Sequence, residues 1–405
     1  MSAPLVSSAN CQLAVGVDAG SSWTRCVICA LEGEYLRYLG HGLASSAGWA
    51  KGRISDQEAV GESIRAAVAD AERGAKAAVE AVTLGIGGVH VRGAQSRGVY
   101  EFGRPREIGI EDLSFAARRA SEVQLESDRM LLHVFPQDFV LDGMAGFRKP
   151  QKGICSRLEA NVHLVTASIL EHQALVASAH MAHLEVEETV FEPVAAAYAC
   201  LLPEDRADGV ALLDIGHHSS GLAIYDGDAL QLAANLPVSS DLFTRDIAAM
   251  FKIGYEDAEC LKREYGCAML GLTSDSTIIE VPSPENRAPR EARRGELVEI
   301  LEARAEELFT YALDKLRRAG MDRKLLDGVV LTGGGSRLAG VCDMAEKVLN
   351  CQAGSGLAKG IGDWPEELEN PLWTTAAGLS MYSAKLKLHQ PPRRRARGLL
   401  GLVMR

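Results

Sequence analysis

Leu13–Ala14–Val15–Gly16–Val17 runs straight into Asp18–Ala19–Gly20–Ser21–Ser22, and the same grammar returns twice far downstream. Val210–Ala211–Leu212–Leu213 precedes Asp214–Ile215–Gly216, and Val329–Val330–Leu331 precedes Thr332–Gly333–Gly334–Gly335. Each apolar run reads as a buried strand, and each small-residue cluster as a turn with bare backbone amides. Two turns carry an aspartate at the strand end; the third is a glycine triplet. Bare amides suit phosphate oxygens, and the aspartates suit a metal ion held through water. Three such corners in one chain suggest a nucleotide gripped between two similar halves, with the triplet making room for the base. Any one of them alone is an ordinary strand-to-helix corner in which glycine supplies positive φ.

Working outward, Arg25 to Leu31 continues as a strand, turns at Glu32–Gly33–Glu34 and pairs back through Tyr35 to Gly40. After the second turn, Leu222 to Tyr225, Asp226–Gly227–Asp228 and Ala229 to Ala234 repeat that strand–turn–strand unit, a sign of internal duplication. A helix opens at Asp56, with Val60, Ile64, Ala67, Val68 and Ala71 at helical spacing. Residues 89–165 break the rhythm. They carry a short strand at Val99–Phe102, a helix at Ile110–Ala120, and strands at Arg129–Val140 and Ala160–Ala167, and read as an inserted subdomain. Leu297, Leu301, Ala305, Leu308, Ala312 and Leu316 mark a long amphipathic helix. Ser274 to Arg294, punctuated by prolines, reads as loop and edge strands, and helices are expected over Leu338–Asn350 and from Leu372 to Tyr382.

The chain has 405 residues, 47% hydrophobic and 24% charged, enough for at least two domains. Its net charge of −11 argues against nucleic acid as a partner. Cys26 and Cys29 form a Cys-x-x-Cys inside an apolar strand and read as core residues rather than a metal or redox pair. His180-x-x-His183 lacks a third ligand and reads as solvated helix histidines. No apolar stretch has the length of a membrane span, and Met1 to Asn10 lacks the pattern of a signal peptide. The chain reads as cytosolic.

Two duplicated halves with Asp-bearing turns and a Gly-rich turn resemble the superfamily of actin, DnaK-type chaperones and sugar kinases. Finer runs resemble the FtsA family of bacterial actin-like division proteins. They are Leu132–His133–Val134–Phe135–Pro136–Gln137–Asp138–Phe139, Ala160 to Thr166, Ser240 to Ala248, Ala258 to Lys262 and Tyr265 to Ala268. The resemblance implies an α/β, actin-like fold. Two duplicated mixed-sheet domains would flank a nucleotide cleft, with an FtsA-type inserted subdomain. The implied partition is 11–88 with 166–202 (1A), 89–165 (1C), 203–240 with 309–385 (2A), 241–308 (2B), and a linker and tail at 386–405.

The resemblance also implies ATP and Mg as cofactors. Asp18, Gly20, Ser21 and Ser22 match the first phosphate loop, and Asp214 and Gly216 open the second. Asp18 and Asp214 would hold Mg through water. Glu259 and Lys262 match a helix that touches ribose and base; a solvated surface ion pair is the alternative. Gly333, Gly334 and Gly335 match the adenosine loop. The second loop departs from the usual Asp-x-Gly-Gly-Gly-Thr: His217, His218 and Ser219 replace its last three residues, and Ser240 stands where glycine is common. Imidazoles add bulk and restrict φ, yet a protonated histidine can contact phosphate directly and Ser219 can still donate its hydroxyl, so His217, Ser219 and Ser240 stay among the expected nucleotide contacts. Nucleotide binding that survives in weakened form, with slow or absent hydrolysis, is the expectation.

The implied role is a polymerising adaptor that tethers FtsZ filaments to the inner face of the cytoplasmic membrane at the septum and recruits later division proteins. Its partners would be the FtsZ C-terminal peptide, further copies of itself and anionic lipids. Arg290 and Arg304 are candidate contacts for that peptide. For Arg290 the alternative is a solvated loop charge, and for Arg304 a surface pair with Glu307. A PilM-like adaptor of type IV pilus assembly is the second reading; a kinase or chaperone ATPase is the third.

Pro391 to Arg405 is the remaining sharp feature. On a helical wheel Ala396, Leu399, Leu400 and Val403 share one face, with Arg394, Arg397 and Arg405 opposite. Such a basic amphipathic segment suits anionic headgroups. Arg394, Arg395, Arg397, Leu399, Leu400, Leu402 and Val403 are the residues expected there. A basic tail without a role, or one for nucleic acid, is the alternative.

Overall fold

A computed structural model describes residues 12–274, 276–282 and 288–389. The first half opens with an antiparallel meander, β1 (Gln12–Ala19), β2 (Trp23–Glu32) and β3 (Tyr35–Ser45). Cys26 and Cys29 are fully buried in β2, as the apolar run implied. A two-residue ribbon, β4 (Trp49–Ala50) with β5 (Arg53–Ile54), leads to α1 (Gln57–Ala75). Asp56 caps that helix: its Oδ1 accepts from the amides of Glu58 and Ala59 at 3.0 and 3.2 Å. Next comes β6 (Ala81–Ile86), parallel to β1.

The inserted segment holds β7 (Val91–Glu107), α2 (Ile110–Ser121), β8 (Arg129–Leu141), β9 (Met144–Phe147) and β10 (Ile154–Ser168). They form a sheet in the order β7-β10-β8-β9 with its own apolar core under α2. β7 is far longer than the four-residue strand expected at Val99–Phe102. Its outer face is polar and exposed, so no hydrophobic alternation marks it, and its pairing with β10 creates it.

The chain then returns to the first sheet through α3 (Ile169–Met181), β11 (Glu185–Phe191) and α4 (Glu192–Cys200), giving the order β11-β6-β1-β2-β3. After a short helix α5 (Pro203–Ala207), the second half repeats the plan. β12 (Val210–Ile215), β13 (Ser220–Asp226) and β14 (Ala229–Leu236) make an antiparallel meander. Then come α6 (Ser240–Phe251), α7 (Tyr255–Tyr265), the hairpin β15 (Ile278–Val281) and β16 (Arg290–Arg293), and α8 (Arg294–Arg318). The leucine and alanine stripe of α8 is buried as its spacing predicts.

Parallel strand β17 (Val329–Thr332), helix α9 (Val341–Leu349), strand β18 (Ala353–Ser355) and α10 (Thr374–His389) complete the described chain. The sheet order β14-β13-β12-β17-β18 matches β3-β2-β1-β6-β11 strand for strand. α9 starts later than Leu338 because a 3₁₀ turn at Gly334–Arg337 comes first and Gly340, at φ +72°, caps the helix.

α10 returns to the first half, and its Thr375 hydroxyl reaches Asp214 of the second. It packs on β1 and on α4, and its Gly378 lies so close to α4 that an added Cβ would sit 1.8 Å from the Ala195 carbonyl oxygen. Trp364 and Trp373 cover the core beside it. The inserted sheet is fastened to the β13–β14 hairpin across the molecule. Gln95 and Gln137 each donate to the Gln231 carbonyl at 3.0 Å, the Ala233 amide donates to His163 Nε2 at 2.9 Å, and Arg148 donates to the Asp226 carbonyl at 2.6 Å. On its other flank His133 Nε2 accepts from the Phe191 amide at 3.2 Å.

Candidate functional site

The two meanders bring their first hairpin turns face to face. Asp18 and Asp214 are each the penultimate residue of their strand, β1 and β12, and the turns beyond them touch: Ser21 Oγ and His218 Nδ1 are 2.8 Å apart. The glycine triplet after β17 closes the third side. Gly333, at φ +79°, comes so near the second turn that a Cβ there would meet Asp214 Oδ1 at 2.2 Å. Between these turns and helices α6 and α7 lies a cavity of about 630 Å³. Asp18, Gly20, Ser21, Ser22, Asp214, Gly216, His217, Ser219, Ser240, Glu259, Lys262, Gly333, Gly334 and Gly335 all line it. The paired imidazoles stand edge to face, 4.4 Å between centroids, in the wall and leave the cavity open.

The floor is a set of buried carboxylates. Burial raises the pKa of Asp18, opposed by Arg25, its cross-strand neighbour. Burial and then the Asp18 charge push Asp214 to about 7, while the Thr375 hydroxyl, donating to Asp214 Oδ2 at 3.1 Å, works the other way. Glu192, in the first turn of α4, is held well above the usual carboxylate range by burial, then by Asp18 and Asp214. Its carboxyl lies over Gly87, where a Cβ would come within 1.9 Å of Oε2.

Neither Glu192 nor Arg25 was among the sequence candidates. A signal for Glu192 existed: Phe191–Glu192–Pro193 is again a carboxylate at the end of a strand. Burying acids together without a counter-cation is costly. A hydrated Mg²⁺, which keeps several waters and takes oxygen ligands, fits such a floor. Direct ligation by all three is not prepared: among the described residues, the one group of three whose ligand atoms converge is His217, His218 and Asp241, within 4.8 Å. His180 and His183 join no such group among the described residues.

Glu259 and Lys262 are not a solvated pair. Lys262 is buried, its Nζ 2.6 Å from Glu259 Oε2, and it donates to Thr244 Oγ1 at 2.7 Å and Ser240 Oγ at 3.2 Å. Burial lowers its pKa and Glu259 opposes that. The pair ties α6 to α7 along the cavity wall, which Ser240, Glu259 and Lys262 line.

The two arginines beyond the cavity are engaged within the chain. Arg304 donates from Nε and Nη2 to Asp246 at 2.6 and 3.0 Å and also bonds Glu307, so the expected pair with Glu307 is one side of a larger fork. Arg290 lies on strand β16, not in a loop; it donates to the Phe251 carbonyl at 2.6 Å with its guanidinium over the Phe251 ring. The tail residues Arg394, Arg395, Arg397, Leu399, Leu400, Leu402 and Val403 lie outside the described residues.

Comparison with known proteins accords with this architecture. Residues 211–378 match the family model described as cell division protein FtsA, and residues 88–166 match the SHS2 domain inserted in FtsA. Cell division protein FtsA of Pseudomonas aeruginosa is 33% identical over 376 residues, 92% of this chain and 89% of that protein. Its counterpart in Escherichia coli K12 is 29% identical over 397 residues, 95% and 93% of the two chains. Among solved structures, a PilM–PilN type IV pilus biogenesis complex matches with TM-score 0.68 at 17% identity, covering 92% of this chain and 98% of that one. MreB 5 of Spiroplasma citri bound to AMPPNP matches with TM-score 0.56 at 13% identity over 92% and 96%. At those identities the structures establish the actin-like fold alone. The relatedness to FtsA sequences along nearly the whole length, with the inserted SHS2 domain in place, decides the family: the chain belongs to the cell division protein FtsA family.

Proposed function

We propose that this FtsA-family chain is an ATP-binding, filament-forming adaptor that holds FtsZ polymers at the cytoplasmic face of the inner membrane during septation and recruits later division proteins. One observation carries the nucleotide part. Three turns some hundred residues or more apart in sequence, with two residues of α7, converge on one open cavity floored by buried carboxylates. A neighbour of the same fold was solved with AMPPNP. In this reading Gly20, Ser21, Ser22, Gly216 and Ser219 face the phosphates, and Glu259, Lys262 and the Gly333–Gly335 turn face the nucleoside. Asp18 and Asp214 hold Mg²⁺ through its waters; the ion would neutralise phosphate charge and relieve the crowded acids. His217 and His218 restrict amide approach to the terminal phosphate, so hydrolysis is slow or absent. Glu192 would orient a water rather than bind metal.

The partition 11–88 with 166–202, 89–165, 203–240 with 309–385, and 241–308 assigns the phosphate side of the cleft to the first and third units and the wall at Glu259 and Lys262 to the fourth. It leaves the inserted sheet for contacts between copies. The FtsZ peptide is assigned to the 241–308 unit. Because Arg304 and Arg290 are held by Asp246, Glu307 and Phe251, they would act there by shaping the surface and lending residual positive charge. The 386–405 tail supplies the lipid anchor, weak singly and strong in a polymer through raised effective concentration. The PilM reading rests on shared fold; the family match favours division.

The test is a thermal-shift and equilibrium-binding titration of the full chain with MgATP, MgADP and buffer alone, followed by electron microscopy on anionic lipid monolayers. MgATP stabilisation with ATP-dependent filaments is expected. No nucleotide stabilisation at millimolar ligand would sink the proposal.

A further inference from the structure

His217 and His218 interrupt a turn of mostly small residues, and the nucleotide reading gives them only an obstructive part. The fold sets both beside Asp241, which lies in the first turn of α6, more than twenty residues on. A ring nitrogen of each histidine and a carboxylate oxygen of Asp241 all fall within 4.8 Å of one another. His217 Nε2 is 4.0 Å from Asp241 Oδ1. Two imidazoles and a carboxylate are a donor set for zinc, cobalt or nickel, whereas Mg²⁺ takes oxygen ligands. We infer that His217, His218 and Asp241 form a site for one divalent ion of the zinc and cobalt class in the wall of the cleft, separate from the carboxylate floor at Asp18 and Asp214.

The surroundings are built as metal sites are. Ligating side chains are usually oriented by a second set of hydrogen bonds. Here Ser21 Oγ lies 2.8 Å from His218 Nδ1; with the proton on Nδ1 and donated to Ser21, Nε2 keeps its lone pair for a cation. Tyr255 donates its hydroxyl to Asp241 Oδ1 at 2.9 Å, and Arg245 Nε donates to Oδ2 at 2.5 Å, so the buried carboxylate is held from both oxygens and each keeps a lone pair for a cation. Zinc bonds of about 2.0–2.2 Å set tetrahedral ligand atoms roughly 3.3 Å apart. The ligand atoms here, within 4.8 Å of one another, would have to draw in by about 1 Å as the ion binds. Three protein ligands leave a fourth position, and His217 and His218 both line the cavity, so that position opens to it. A water would fill it in the free protein, and a phosphate oxygen could replace the water. The ion would supply the positive charge that displaced glycine amides no longer offer.

The experiment uses untagged full-length protein stripped with a chelator and dialysed free of nucleotide. Co²⁺ is titrated first, read by visible ligand-field absorption, and Zn²⁺ then displaces it against a chromogenic chelator. The expected result is one equivalent per chain with an intense low-coordinate cobalt spectrum. His217→Ala and His218→Ala should abolish that spectrum. Tyr255→Phe should keep it while weakening Zn²⁺ by roughly tenfold to a hundredfold, as loss of an outer partner does. Cooperative thermal unfolding of each variant confirms folding, and Tyr255→Phe carries the test if a loop variant misfolds. Absence of a cobalt spectrum in the parent, or equal Zn²⁺ affinity in His217→Ala, overturns the inference. MgATP binding is measured on separate samples in chelator-treated buffer with Mg²⁺ restored, so failure of the nucleotide proposal and failure of the zinc site are told apart.

Discussion

Replacing Asp214 with asparagine should make the empty protein more stable and the nucleotide-bound one weaker. Asp214 is buried beside Asp18 and Glu192, and burial first, then the Asp18 charge, raise its pKa from 3.8 to about 7. The sign is unambiguous. The unfolded chain gives up this proton near pH 4 and the folded chain near pH 7, so the folded state binds more protons between those limits and loses stability as pH rises through them. Three pKa steps at 1.36 kcal/mol each make the full effect ~4 kcal/mol above pH 7. Asparagine carries no charge and its carbonyl still accepts from the Thr375 hydroxyl, but its amide brings a new donor into a tight site, costing ~1–2 kcal/mol. The net expectation at pH 8 is ~2–3 kcal/mol of stabilisation in the absence of nucleotide and divalent cations. Urea unfolding with a chelator, run from pH 5 to pH 8, measures it. The gap between variant and parent should widen as pH rises and shrink toward pH 5. MgATP should rescue the parent but not the variant. A variant less stable than the parent at pH 8, or a gap indifferent to pH, would refute the account of the carboxylate floor.

Replacing His217 and His218 together with glycine should free the turn's amides and tighten MgATP by about fivefold to thirtyfold, one or two hydrogen bonds' worth, in equilibrium binding; weaker binding would show that the imidazoles themselves grip phosphate. Gly378→Val should lower stability by at least ~1–3 kcal/mol in thermal unfolding, because its Cβ would enter α4 at the Ala195 carbonyl. His163→Leu should leave the Ala233 amide unpaired at a cost of ~1–3 kcal/mol and speed its hydrogen exchange. Burial lowers His163 to about 4, so its contribution is present above about pH 6.5 and lost as pH falls toward 4, and the variant should flatten that part of the acid-unfolding curve. Deleting residues 391–405 should abolish sedimentation with anionic vesicles while leaving the thermal transition in place; unchanged sedimentation would remove the lipid anchor.

The cavity's phosphate-side residues were legible because each turn is contiguous with its own strand, so a local pattern reports both. Glu192 obeys the same strand-end rule but hides behind an apolar helix, Pro193 to Cys200, that reads as core. Asp241 could not be linked to the histidines, since only the packing of α6 against the second turn brings them together. The length of β7 escaped for a different reason. An edge strand with one solvated face and long polar stretches has no period to read, and its partner β10 supplies the order. The charges of Glu259 and Lys262 suggested solvent, yet Ser240 and Thr244 of the adjoining helix give Lys262 the hydrogen bonds that permit its burial.

The inserted sheet leans on both halves at once, with His133 against Phe191 on one side and Gln95, Gln137 and His163 against β14 on the other. It therefore behaves as an outrigger lashed to two hulls. Its strand β8 has 13 residues. At about 3.3 Å per residue it is ~40 Å long, with His133 near one end tied to the first half and Gln137 toward the other tied to the second, so any relative movement of the halves would load this one strand. A partner seated on the exposed strand Met144–Phe147 would bear on the end of the sheet that Arg148 ties to the second half, without contact with the cleft.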